Sequence, residues 1–136
     1  METSTPRFEF ELTPADIESV RRGLRELGAA NADMYDGSRL RLHLESWATF
    51  VDTDWTRWDV AEYANDIQCR YWLEAVLEYS ISSVHVTLES YVYAIDGLFR
   101  TKARPCRYQR MNYAAPRAKT ESPLFWESTS IHPDMT

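Results

Sequence analysis

Residues 55–104 run without a proline and with a single glycine, Gly97, while an apolar or aromatic residue recurs every three or four positions. Proline inside a helix removes an amide donor and clashes with the preceding turn, so a long proline-free stretch with a period near 3.6 predicts helix rather than strand. Two long helices are expected, over 58–79 and 84–100. The break between them is expected at 80–83, where clustered serines compete for backbone hydrogen bonds and Ser82 or Ser83 can cap the next helix.

Upstream, Phe8, Phe10 and Leu12 alternate with Glu9 and Glu11. This is an extended arm that must pair in a dimer or lie on the helices, because one strand is not stable alone. Thr13 fits an N-cap, Pro14 the first helical position and Asp16 the acid of a capping box. Ile17, Val20, Leu24 and Leu27 then share a face, Glu18 stands four residues before Arg22, and Gly28 is a natural stop. Leu40, Leu44, Trp47 and Val51 predict another helix, although the alternation of Leu40, Leu42 and Leu44 keeps a strand over 39–45 open.

A chain of 136 residues buries roughly two thirds of its unfolded surface, enough for one core without disulfides. The expected architecture is mainly α: a single-domain bundle of about four helices over 13–104, an extended arm over 1–12 and an irregular tail over 105–136. Cys69 and Cys106 form no CxxC motif and have no neighbouring histidine, so Cys69 reads as a small buried hydrophobe. There is no apolar leader and no long apolar run, which gives the expectation of a soluble, cytoplasmic protein without membrane contact. Thirteen arginines against two lysines suggest a GC-rich, bacterial genome.

Charge is uneven. Residues 1–96 hold 18 acids and 8 arginines, whereas 97–136 hold 3 acids and 7 bases. The basic stretch from Arg100 to Lys119 is expected to lie across the acidic helices of its own fold, with nucleic-acid binding through Arg104, Arg107 and Arg110 as the alternative.

The segment 52–59 places Asp52 and Asp54 at the first and third positions of a calcium loop. However, Arg57 stands where glycine is needed and Tyr63 where a bidentate glutamate is needed, so no metal is expected. The acids there are expected to cap the next helix, with Trp55 and Trp58 closing the core. No Glu-x-x-His pair, phosphate-binding glycine loop, nucleophile elbow or HExxH motif occurs, and no cofactor is expected.

In helical projection, Val60, Tyr63, Ala64, Ile67 and Tyr71 share a face that continues into Glu74 and Glu78 beside Arg70, a polar line that is either a solvated seam or the wall of a cleft. On the following helix, Val84, Leu88, Tyr91, Val92, Ile95, Leu98 and Phe99 face the core. His85, Glu89, Tyr93, Asp96 and Arg100 take the other side. A hairpin would bring Glu74, Glu78, His85 and Glu89 together, the candidate catalytic set of an enzyme or small-ligand binder.

The acidity is the stronger signal. Between residues 59 and 96 seven acids stand against Arg70 alone, with tyrosines at 63, 71, 79, 91 and 93 among them. Carboxylates steer a cationic partner, and tyrosines add contact area at low entropy cost. The expected function is a non-enzymatic binding protein, like an immunity protein or antitoxin, that engages a basic protein through Asp59, Glu62, Tyr63, Asp66, Glu74, Glu78 and Tyr93. A homodimeric structural module is a further reading. In the tail, Leu124, Phe125 and Trp126 are expected to dock on the bundle or on a partner subunit.

Overall fold

The computed structural model describes residues 8–105 and 129–135, the side chains of 82–84 excepted. The helices are α1 (Pro14–Glu26), α2 (Gly37–Asp52), α3 (Val60–Asp66), α4 (Gln68–Tyr79) and α5 (Ser82–Lys102). A short strand β1 (Arg104–Pro105) pairs antiparallel with β2 (Thr129–Ser130). The fold is the mainly α bundle expected, with α3 and α4 taking the place of one long helix. Leu124–Trp126 and the basic residues between 106 and 128 lie outside the described residues.

Local chemistry explains the ends. The Thr13 hydroxyl accepts the Asp16 N–H while the Asp16 carboxylate accepts the Thr13 N–H, closing the capping box. Asp36 caps α2 by accepting the Arg39 N–H at 2.9 Å, and the whole of 39–45 is helical, so the strand alternative is not realised. Beyond α1, Gly28 takes φ 76°, a left-handed conformation that glycine enters without a Cβ penalty.

The long helix expected over 58–79 starts at Val60, because Asp59 caps it, and is interrupted at Ile67. Ile67 keeps right-handed dihedrals and the Arg70 N–H bonds to its carbonyl at 2.9 Å, a tightened turn that interrupts the helix without losing the apolar period. The next break is narrower than expected. Only Ser80 and Ile81 are extended, Ile81 holds the N-cap position, and residues 82 and 83 already belong to α5. Ser80 ends α4 by donating its hydroxyl to the Leu77 carbonyl at 3.2 Å.

Helix α4 packs against α1, α2 and α5 and is the centre of the bundle. Around it lie Leu24, Leu40, Leu44, Trp47, Val51, Leu73, Val76, Leu88, Val92 and Phe99, all buried. Each such aliphatic or aromatic side chain stabilises the fold by about 1.5–3 kcal/mol relative to exposure. Two expected core residues lie outside it: Trp58 and Leu98 are exposed. Trp55 alone closes that end, its indole N–H bonded to the Phe50 carbonyl at 2.9 Å.

Both ends of the described chain are tied to this frame. Phe8 is buried edge-on to Tyr91, whose hydroxyl accepts the Glu9 N–H and donates to the Glu9 carbonyl. The arm therefore lies on the helices. At the other end, the buried His132 donates from Nε2 to the Trp58 carbonyl at 2.7 Å and accepts the Asp134 N–H at Nδ1.

Candidate functional site

At Arg70 the polar line turns into the interior of the bundle. Arg70 and Asp96 have side chains only 2% exposed, and the guanidinium grips the carboxylate through Nε at 2.9 Å and Nη2 at 2.8 Å. The Trp47 indole N–H donates to the same carboxylate at 2.9 Å, and Nη1 of Arg70 reaches Glu74 at 3.0 Å. By helical period Asp96 falls on the side of α5 opposite its apolar face. It is instead the acceptor that makes a buried arginine tolerable, since a buried charge requires a paired and hydrogen-bonded partner.

The remaining expected residues separate into groups. Tyr63 is only 1% exposed, packs on Phe50 and Trp55, and takes the Ile131 N–H on its hydroxyl, so it is part of the core and not of a contact surface. Asp59, Glu62 and Asp66 are exposed on and before α3, with Asp59 engaged as its cap at 2.8 Å from the Glu62 amide. Glu74 is held by Arg70, and Glu78 is half-buried. Tyr93 is exposed on α5, its phenol held above the usual value first by partial burial and then by the charges of Glu89 and Glu74.

His85 and Glu89 do meet, Nε2 to carboxylate at 3.0 Å, and the Ser80 hydroxyl lies 2.8 Å from Nδ1. This chain has the connectivity of a nucleophile, base and carboxylate. Its position gives it another use: Ser80 also bonds the Leu77 carbonyl, so the relay stitches the end of α4 to the first turns of α5. Glu74 and Glu78 do not join it through any of these bonds.

Among the described residues, a concave surface lies between α2 and the α3–α4 junction. A cavity of about 630 Å³ is lined by Leu42, Glu45, Ser46 and Thr49 of α2 and by Asn65, Asp66, Cys69 and Trp72 across the gap, among others. A second cavity of about 350 Å³ adjoins it through the shared residues His43, Gln68 and Trp72 and extends to Met34, Tyr35 and Arg39. Two acids and no lysine or arginine line the larger cavity, whereas Arg39 lines the smaller.

An aromatic platform forms the floor where they join. Tyr35 and Trp72 stack at 5.8 Å, and His43 and Trp72 at 5.4 Å. The Tyr35 hydroxyl is 2.9 Å from Nδ1 of His43. Burial lowers the His43 imidazole to about 4, with Arg39 adding to the effect, and burial raises the Tyr35 phenol above its usual range. Both are therefore neutral near pH 7. The phenol donates to Nδ1 and the imidazole proton sits on Nε2. Burial also pushes the Cys69 thiol up to about 12, so this wall presents a thiol and not a nucleophilic thiolate.

Of the residues named in advance, the groove contains Asp66 alone. Glu62 lies one helical turn before it and Asp52 lies two turns beyond Glu45, both exposed. Among the described residues, none of Glu45, Asp52, Glu62 and Asp66 makes an ion pair. Glu45 and Trp72 were missed. Leu42, Glu45, Ser46, Thr49 and Thr53 do follow one helical face in the sequence, but only the packing of α3 turns that face into a wall. Among the described residues, no three His, Cys, Asp or Glu side chains gather to hold a metal, and no helix is long and apolar enough to cross a membrane. No protein-family model matches the chain, and neither a curated protein nor a solved structure matches it.

Proposed function

We propose that this chain is a non-enzymatic binding protein that holds a basic segment of a protein partner in the groove between α2 and α3–α4, in the manner of an immunity protein or antitoxin. The observation that carries this reading is the pairing of an acidic rim, Glu45 and Asp66 with Asp52 and Glu62 beside them, with the partly exposed Trp72 on the floor. Unpaired carboxylates at the rim speed the encounter with a cation, and an indole face receives a guanidinium or ammonium through cation–π attraction worth roughly 0.5–2 kcal/mol. The neutral imidazole and high-pKa thiol on the same walls suit binding better than proton transfer or nucleophilic attack near pH 7.

The test titrates a short arginine- and leucine-rich peptide into the protein at low and high salt. Wild type is expected to bind with an affinity that falls as salt rises. Glu45→Lys with Asp66→Lys should abolish binding, while Glu11→Lys with Glu18→Lys, which makes the same change in net charge on exposed sites away from the groove, should preserve most of it. Equal loss in both double variants would reduce the effect to net charge and sink the reading.

A further inference from the structure

The groove between α2 and α3–α4 changes charge along its length. Arg39, in the first turn of α2, lines the smaller cavity with His43, whereas Glu45 and then Thr49 follow along the same helix in the larger one, with Asp66 across the gap. Along the helix axis Arg39 and Glu45 stand about 9 Å apart.

The Arg39 end favours an anion. Among the described residues no acid lines the smaller cavity, and the acids of the adjoining α1–α2 connection are engaged: Asp36 caps α2 by accepting the Arg39 N–H, and Asp33 pairs with Arg25. The Arg39 guanidinium makes no ion pair among the described residues, and Nε2–H of His43 has no acceptor among them. A guanidinium beside a further N–H donor suits a carboxylate, whose two oxygens accept several hydrogen bonds. The α1–α2 connection also walls this end. Ala30, Asn31, Met34 and Tyr35 line the smaller cavity and precede the first turn of α2, so a chain lying along the groove meets them past Arg39.

We infer that the groove takes the partner's basic segment by its C-terminal end, with the terminal carboxylate at Arg39 and His43 and the basic side chains at Glu45 and Asp66. This rests on the groove being the site of a basic segment, and adds to it a direction and a chain terminus. An extended chain advances about 3.3 Å per residue, so the basic side chains stand roughly two to four positions before the last residue. A segment lying the other way would set its cations against Arg39 and its carboxylate against Glu45 and Asp66, and juxtaposed like charges discriminate against that direction.

Two peptides of one sequence test this, with arginines third and fourth from the end, one finishing in a free carboxylate and the other in an amide. The full chain should bind the free acid about tenfold more tightly than the amide, the difference expected of one charge-assisted pair. Arg39→Gln should bring the free acid down to the affinity of the amide. Arg22→Gln, which removes the same charge from an exposed site on α1 outside both cavities, should keep the preference. Equal binding of acid and amide by wild type overturns the inference and leaves the groove reading standing, as does a preference that survives Arg39→Gln. A peptide amide with aspartate as its last residue that binds as tightly as the free acid overturns the assignment to the chain terminus. Binding of neither peptide overturns both the inference and the groove reading.

Discussion

Arg70 and Asp96, 26 residues apart in sequence, lock α4 to α5 through two parallel hydrogen bonds in a site both side chains almost wholly leave to the interior. The pair is completed by the Trp47 indole N–H from α2 and by Glu74, so three helices meet on one ionic cluster.

Breaking that pair from one side leaves a buried charge with incomplete compensation. Asp96→Asn is expected to destabilise the protein by about 3–5 kcal/mol in urea unfolding. Arg70→Met combined with Asp96→Leu should cost clearly less than the sum of the single changes. Additive losses would show that the two residues are not coupled.

Gly23 of α1 and Gly97 of α5 should respond to alanine with opposite signs. A Cβ at Gly23 would clash with the ring of Tyr79, whose backbone carbonyl and hydroxyl are both tied to α1 through Ser19 and Glu26. Gly23→Ala should therefore destabilise by about 1–3 kcal/mol despite its better helix propensity. Gly97→Ala, where a Cβ meets nothing within 4 Å among the described residues, should stabilise the protein by roughly 0.5–1 kcal/mol. Thermal melts of the two variants side by side decide the matter.

Acid should weaken the groove floor first through His43. Its folded value of about 4 lies below the ordinary imidazole value of 6.5, so the unfolded chain takes up the proton more readily between those limits. The stability due to a neutral His43 is complete above about pH 6.5 and is lost as pH falls toward 4, a change on the order of 3 kcal/mol. In melts across that range His43→Gln should show a shallower pH slope than wild type. Parallel slopes would contradict the burial argument.

The thiol of Cys69 should be silent in the native state. With Cys106 changed to serine to leave one thiol, an aromatic disulfide reagent at pH 8 is expected to react only after denaturant is added, because the reactive thiolate is suppressed by burial. Prompt native-state labelling would show that the groove wall opens.

The sequence by itself determined that 58–79 and 84–100 are helical, the helix start and capping box at Thr13 and Asp16, the cap at Asp59, and the apolar faces of α1 and α2, while it left 39–45 open to a strand and did not show the interruption at Ile67. These depend on contacts within one or two turns, where proline, glycine and the 3.6-residue period act directly. It also placed the α4–α5 break to within two residues, since Ser80 terminates α4 with its own hydroxyl. Tertiary structure alone decided which polar residues are interior. Arg70 and Asp96 each lie on a polar stripe of their own helix, and their burial follows only when α2, α4 and α5 close on one another. The same holds for Tyr63, which stands among acids in the chain and among Phe50, Trp55 and His132 in space. The groove is a property of two walls, with Asp66 and Trp72 on one and Glu45 and His43 on the other, and only the packing of the helices brings those walls together.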